Sequence, residues 1–396
     1  MNVVITQPLL TRYRLPLFRR LAAMGEWDLQ VLASRELPWV SNLRSVTIDE
    51  SWANLDHPVR RLPGTPFAWQ ANMHLPASLG PGDVAVLFSE LRYLSNYRLL
   101  VQGRRRRCGL IWWGHGRAKQ GAVANRLRVL LARLCDVVLL YHDNEKEMYE
   151  RSGFRSDCVF ATQNALDQTP ISESRAQWPD DRLRQFQQQE GISQQKVILY
   201  CGRFRDFDRL KLAIAAHKEI LIHDSDCVLV FIGEGDCRPA LEAFARRTCP
   251  PQSVRFLGPV YNHADLAPWF LSAHCFVFPR SLGLSVFDAF GYGLPVITHD
   301  YLPGHTPEIS ALRDGYNGLL FRDGDALDLA RKVTMLIDNP SLRDQMSENA
   351  ERTVAEEYNM DIMASRFCAA IRRASEISLA RKARVRNSPA HESRAL

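Results

Sequence analysis

Short apolar runs alternate with longer amphipathic stretches along almost the whole chain. The runs fall at residues 3–6, 29–33, 84–88, 110–113 and 137–141, and again at 197–201, 228–232, 254–257, 275–278, 295–298 and 318–321. Each is short, rich in Val, Ile, Leu and Phe, and not strictly alternating, as strands covered on both faces should be. Helical spacing of apolar positions appears between many of them, for instance over 122–134, 210–223 and 239–247. Such alternation predicts parallel sheets with helices on both sides. The segment 168–195 carries Pro170, Pro179 and several Ser and Gln residues, and a fresh strand follows it. A break there predicts two α/β lobes, 1–180 and 190–360, followed by a C-terminal helix over 361–380 and a basic, disordered tail over 381–396.

Composition changes this picture little. At 396 residues the chain suits two domains, and 46% hydrophobic with 24% charged residues is ordinary for a globular protein. A net charge of +6 is modest for this length and does not argue for nucleic acid. Basic clusters at 104–107 and 381–386 suit an anionic membrane face or phosphate groups, with a solvated surface as the alternative. The nine cysteines are scattered singly, without Cys-x-x-Cys or a His pair at ligand spacing, so neither a disulfide framework nor a zinc site is expected. The start of the chain reads as a strand rather than a signal peptide, and no apolar stretch is long enough to span a bilayer. The expected location is the cytoplasm, at most peripheral to the inner face of the membrane.

Candidate chemistry concentrates in loops that follow strands, where open parallel sheets bind ligands. After 197–201 come Gly202, Arg203, Arg205 and Arg209, a glycine for close approach and three guanidinium groups that suit a diphosphate. Surface arginines paired with Asp206 and Asp208 are the alternative. After 228–232 come Gly233 and Gly235, but Arg238 stands where a dinucleotide fingerprint needs its third glycine, which counts against an NAD enzyme. The most informative stretch is 275–297: strand, the tight loop Ser281, Leu282, Gly283 and Leu284, a short helix carrying Asp288, the turn Gly293-Leu294-Pro295, and a strand. Amides at the loop and first helical turn would meet an anion, and Asp288 is placed to accept from a ribose diol. Glu308 closes a further loop. In the first lobe His115 follows a buried strand between two glycines, either near the reacting sugar or as a structural cap. Arg12, Tyr13 and Arg14 follow the first strand, either as a hand for acceptor phosphate or as a surface loop. Helix 122–134 carries Arg126, Arg128 and Arg133 among leucines, fitting either membrane-surface docking or an ordinary half-buried helix. The Asp-x-Asp pairs 206/208, 224/226 and 323/325 read as turns and caps rather than metal ligands.

These landmarks together resemble the GT-B glycosyltransferases, and within them glycosyltransferase family 4, the glycosyl transferases group 1. Those that carry the resemblance are Gly202-Arg203, Gly233-Glu234-Gly235, Leu257-Gly258, Gly293-Leu294-Pro295-Val296, Pro307-Glu308 and Asn317-Gly318, with Asn164-Ala165-Leu166-Asp167 and Trp113-Gly114-His115-Gly116 in the first lobe. The resemblance implies two Rossmann-like, doubly wound domains facing a cleft, with an acceptor-binding N-terminal domain, a nucleotide-sugar-binding C-terminal domain and a last helix returning to the first. It implies a retaining, metal-independent transferase without cofactor. Such an enzyme would move a sugar from a UDP- or GDP-sugar to an acceptor hydroxyl. The basic surface and the lack of a membrane-spanning stretch suit a sugar or lipid-linked oligosaccharide acceptor at the cytoplasmic leaflet, as in cell-surface polysaccharide assembly. His115, Arg203 and Arg280 would be catalytic, with Gly202, Arg203, Arg209, Gly233, Gly235, Ser281, Leu282, Gly283, Leu284, Asp288 and Glu308 on the donor and Arg12, Tyr13 and Arg14 on the acceptor. Three positions depart from the family. Of its paired glutamates, the first falls on Arg280 and the second on Asp288, and its phosphate-binding lysine falls on Asp208, with Arg209 or Arg205 as substitutes. A phosphorylase or nucleotide-sugar epimerase of the same architecture, or a non-catalytic nucleotide-binding subunit, remains open.

Overall fold

The computed structural model describes residues 1–39, 44–116 and 121–386. It divides into two compact units, residues 1–164 with 360–396 and residues 165–359. The first unit holds strands β1 (Asn2–Leu9), β2 (Asp28–Ser34), β3 (Ala53–Asn54), β4 (Val59–Arg61), β5 (Ala68–Gln70), β6 (Val84–Phe88), β7 (Gly109–Gly114), β8 (Val137–Leu140) and β9 (Val159–Ala161). Its helices are α1 (Leu15–Ala23), α2 (Ser95–Arg106), α3 (Ala122–Ala132) and α4 (Lys146–Arg151). The second unit holds α5 (Thr169–Ala176), α6 (Asp180–Gln189), β10 (Lys196–Cys201), α7 (Phe207–His223), β11 (Cys227–Ile232), α8 (Arg238–Thr248), β12 (Val254–Gly258), α9 (His263–Ser272), β13 (Ala273–Val277), α10 (Ser285–Gly291), β14 (Val296–His299), β15 (Gly318–Phe321), α11 (Ala326–Asp338) and α12 (Pro340–Glu356). Helix α13 (Met360–Arg386) closes the described chain.

Each expected strand run overlaps an observed strand, and most are apolar stretches buried on both faces; β11, Cys227–Ile232, is buried at every position, whereas the edge strand β12 is only half-buried. The second unit's sheet is parallel with the order β12-β11-β10-β13-β14-β15. Its order reverses between β10 and β13, so a crevice opens beyond the carboxyl ends of those two strands. The first unit's sheet runs β3-β2-β1-β6-β7-β8-β9, also parallel, with its reversal between β1 and β6. The strands that the apolar pattern missed are β3, β9 and the small antiparallel pair β4–β5, all only two or three residues long.

Two boundaries differ from expectation. The division falls after Asn164, ahead of the polar segment 168–195. Polar as that segment is, Ile171 is fully buried, Arg175 donates from Nη1 to the Gly291 carbonyl at 2.8 Å, and Trp178, Phe186 and Trp269 meet edge-to-face in series. The last helix is also longer than expected, since α13 runs through Arg386 where a disordered tail was expected from residue 381. Ser378 Oγ donates to the Arg107 carbonyl at 2.8 Å, and Arg381 pairs with the nearly buried Asp136. Residues 387–396 of that expected tail lie outside the described residues.

Helix α13 belongs to the first unit. Phe367, Ala370, Ile371 and Ala374 are fully buried, and Phe367 meets Trp113 edge-on at 4.9 Å. Gly109 lets β7 lie under it, because a Cβ there would sit 2.5 Å from the Ala374 carbonyl oxygen.

Candidate functional site

In the second unit the chain leaves β10 into residues 202–206 and leaves β13 into residues 278–284, the two loops at the sheet's reversal. They are tied together: Arg280 Nη1 donates to the Arg203 carbonyl at 2.8 Å, and the Tyr200 hydroxyl donates to the same oxygen at 3.1 Å. Arg203 and Arg205 are exposed, and among the described residues neither guanidinium has an ion-pair partner. Arg209 is different. Its guanidinium forms a two-pronged pair with Asp323, with Nη2 3.2 Å from Oδ2, which holds its own pKa up and that of Asp323 down. Asp206 caps α7 by accepting from the Arg209 amide at 3.1 Å. Of the three arginines expected to grip phosphate, Arg203 and Arg205 remain available, and Arg209 serves an internal salt bridge.

The glycines of this region answer to packing between backbones. Gly233, at φ +144°, would place a Cβ 1.9 Å from the Gly202 carbonyl oxygen, and Gly235 would place one 2.3 Å from the Phe204 carbonyl oxygen. Phe204 N in turn donates to the Glu234 carbonyl at 2.9 Å. Gly233 and Gly235 thus let two loops lie against each other, where the sequence suggested approach to a ligand. Gly202 packs more loosely, under Tyr200 and Phe278.

Loop 281–284 is held from behind. The Leu282 side chain is fully buried, and its amide donates to His305 Nδ1 at 2.9 Å. Because Nδ1 accepts, the ring proton sits on Nε2, 2.9 Å from the His299 carbonyl. Thr306 holds the Leu282 carbonyl through its hydroxyl and its amide. The Leu282 amide is therefore already used, contrary to its expected role as an anion donor. Among the described residues the amides of Gly283 and Leu284 meet no protein acceptor, and a Cβ on Gly283 would have no neighbour closer than 3.7 Å, so this part of the loop faces open space. Ser281 stands half-buried at the head of the loop. Glu308 is buried in the turn Pro307–Ala311 behind Thr306.

Asp288, on α10, carries the most distinctive electrostatics. Its side chain is half-buried, no hydrogen-bond donor among the described residues reaches its carboxylate, and desolvation pushes its pKa up to about 7. Several family landmarks nearby are structural by comparison. Asn317 bridges Arg313, Ala311 and Thr353, and a Cβ on Gly318 would meet the Val296 carbonyl oxygen at 2.2 Å. Among the described residues no group of three or more His, Cys, Asp or Glu side chains is disposed to hold a metal ion. The Asp-x-Asp pairs are caps and ion pairs, with Asp208 on Lys211, Asp224 on Lys196 and Asp325 capping α11.

In the first unit, Arg12, Tyr13 and Arg14 form a turn directly after β1, at that sheet's own reversal. Arg12 is exposed and Tyr13 half-buried. Arg14 is buried, its guanidinium 5.0 Å from the Trp113 ring centre and 4.9 Å from that of Tyr141, so it braces aromatic rings rather than reaching outward. His115 is exposed and packs edge-on against Tyr141 at 4.7 Å. Its carbonyl accepts from Arg128 Nη1 at 3.1 Å, and the same buried guanidinium binds Ser89. Arg128 therefore turns inward from α3 to pin the turn that presents His115, a role hidden from spacing alone.

Two Rossmann-like units, the first completed by the chain's last helix, are the fold of the GT-B glycosyltransferases. Residues 181–353, most of the second unit, match the family described as glycosyl transferases group 1. The chain is 24% identical over 182 residues to an alpha-D-kanosaminyltransferase of Streptomyces kanamyceticus, covering 45% of this chain and 46% of that one. It is 26% identical over 177 residues to the lipopolysaccharide core biosynthesis glycosyltransferase LpsE of Rhizobium meliloti, covering 43% and 48%. The chain thus spans about half the length of these curated relatives. The crystal structure of Anabaena HepE in complex with UDP shares the fold, with a TM-score of 0.65 at 13% identity over 93% of this chain and 98% of that one.

Proposed function

We propose that the chain is a retaining, metal-independent glycosyltransferase. It would take a sugar from a nucleoside diphosphate sugar, a UDP- or GDP-sugar, and pass it to a hydroxyl of a lipid-linked or cell-surface polysaccharide intermediate at the cytoplasmic side of a membrane. Asp288 carries this reading: a half-buried carboxylate without a protein donor, beside a loop whose Gly283 and Leu284 amides lack acceptors. A ribose diol supplies the donors that Asp288 lacks, and a diphosphate supplies the acceptors that the amides lack. Arg203 and Arg205 add positive charge at the same strand ends, and Arg280, tied to the Arg203 carbonyl, adds another. The acceptor oxygen bonds to the anomeric carbon as the bond from that carbon to the diphosphate oxygen breaks. The acceptor proton passes to the departing diphosphate oxygen, and the guanidinium groups and amides stabilise the nucleoside diphosphate as it leaves. His115, exposed on the first unit, is the candidate polar group toward the transferred sugar. The UDP in the HepE structure supports a UDP-sugar first, and the likeness to LpsE supports a polysaccharide acceptor.

The test is a thermal-shift panel of UDP-, GDP- and CMP-sugars on the wild type and on Arg203→Ala. One nucleotide class should stabilise the wild type, with a clearly smaller shift in the variant. Absence of any shift in the wild type defeats the donor site. Arg280, where the family carries a carboxylate, favours a second reading, a non-catalytic nucleotide-binding subunit. A nucleotide-dependent shift with neither donor hydrolysis nor transfer would select it.

A further inference from the structure

Helix α3 buries one face and leaves an apolar stripe on the other. Leu131, Ala132 and Arg128 point inward, whereas Val123, Leu127, Leu130 and Leu134 are 79%, 40%, 59% and 45% exposed. Their spacing of four, three and four residues puts all four on one line along the helix and the turn after it. A packed helix normally buries such a line, so this stripe lacks a partner among the described residues. Arg126 and Arg133 flank it, both exposed, and the helix contains no acid.

The sequence that carries the stripe is basic, bounded by Glu90, which pairs with Arg92, and Asp136, which pairs with Arg381. Residues 91–135 contain ten Arg and one Lys and no Asp or Glu, so +6 for the whole chain against +11 for this stretch leaves −5 elsewhere. Helices α2 and α3 pack in one layer, contributing Leu99, Leu100, Leu131 and Ala132 to a common core. The outer surface of α2 shows Arg98, Val101, Arg104 and Arg105. The basic end of α13 converges on the same margin, where Arg381 neutralises Asp136. The two basic clusters noted in the sequence, far apart along the chain, therefore meet in the fold.

We propose that this face of the first unit docks on an anionic lipid surface, with the α3 leucines in the headgroup–acyl boundary and the arginines of α2 and α3 on the phosphates. An apolar stripe within a basic field is what binds such an interface. A second copy of this chain fits worse, because a two-fold contact would set the same positive field against itself. Among the described residues no helix is long and apolar enough to cross a membrane, so docking would be at the surface. The inference goes beyond the proposed activity and does not depend on the donor site.

Vesicle co-sedimentation of the full-length protein tests it with no sugar nucleotide present, so the donor reading can fail without affecting the result. The protein should sediment with phosphatidylcholine vesicles containing phosphatidylglycerol, hardly at all with phosphatidylcholine alone, and less as salt rises. Leu127→Gln/Leu130→Gln should lower binding about tenfold or more while its melting temperature holds, since both side chains are exposed. Arg126→Gln should lower binding about fivefold. Failure of the wild type to sediment, equal binding to both vesicle types, or unchanged binding by the double variant overturns the proposal. So does a dimer that the double variant dissociates while vesicle binding stays as it was.

Discussion

Asp288 sits in a setting that raises its pKa to about 7 by desolvation, with no donor to offset it, so near neutral pH it is divided between acid and carboxylate. A ribose diol binds the carboxylate better than the acid, because only the ionised form accepts both hydroxyl protons. Nucleotide affinity should therefore weaken as pH falls from about 8 to 6, and Asp288→Asn should lose roughly tenfold in affinity and flatten that profile. Calorimetric titration at three pH values checks it, and an unchanged profile in the variant would remove Asp288 from the site. His217 gives the opposite kind of case. It is buried in an apolar setting, and burial lowers its pKa to about 4 against a smaller opposing pull from the Ser253 backbone. The unfolded chain binds this proton more readily, so stability is intact above about pH 6.5 and falls as pH drops toward 4, by roughly 3 kcal/mol at most. His217→Leu should remove part of that acid sensitivity in urea unfolding at pH 5, leaving nucleotide binding as it was. Residue types and spacing pointed to Asp288, Arg203 and the loop 281–284. They could not show that the Leu282 amide, Arg209 and Arg14 are already engaged, because their partners His305, Asp323, Trp113 and Tyr141 lie far away in sequence.

Whole elements were more legible than contacts. The longer strands announced themselves as apolar runs, since covering both faces of a parallel strand demands it. The short strands β3 and β9 did not, because two or three residues at a sheet margin need no such run. Helix α13 shows the same limit at its end. Arg381 and its basic neighbours read as a solvated tail, and only the fold reveals that Asp136 waits for Arg381. That helix should also contribute strongly to stability. Phe367→Ala empties a fully buried site against Trp113 and should cost about 3–5 kcal/mol in the unfolding free energy of the first unit. Denaturant unfolding followed by tryptophan fluorescence measures this, and a loss below about 1 kcal/mol would mean that α13 is only loosely seated.

At the scale of the molecule, the chain completes its second unit before returning to finish its first. Residues 165–359 include a closed core and all of the proposed donor contacts, whereas residues 1–164 alone lack the helix that covers β7 and β8. A fragment of residues 165–359 should therefore fold and be stabilised by the same nucleotide class as the full chain. Fragment 1–164 should expose the surface that Phe367, Ile371 and Ala374 cover, and aggregate. Circular dichroism melting with and without nucleotide tests the first fragment. Adding a peptide of residues 360–386 to the second tests whether the missing helix is what it needs. If residues 165–359 fold but give no nucleotide-dependent shift while the full chain does, the first unit must supply part of the nucleotide grip. The assignment of the donor to Asp288, Arg203 and loop 281–284 would then be incomplete.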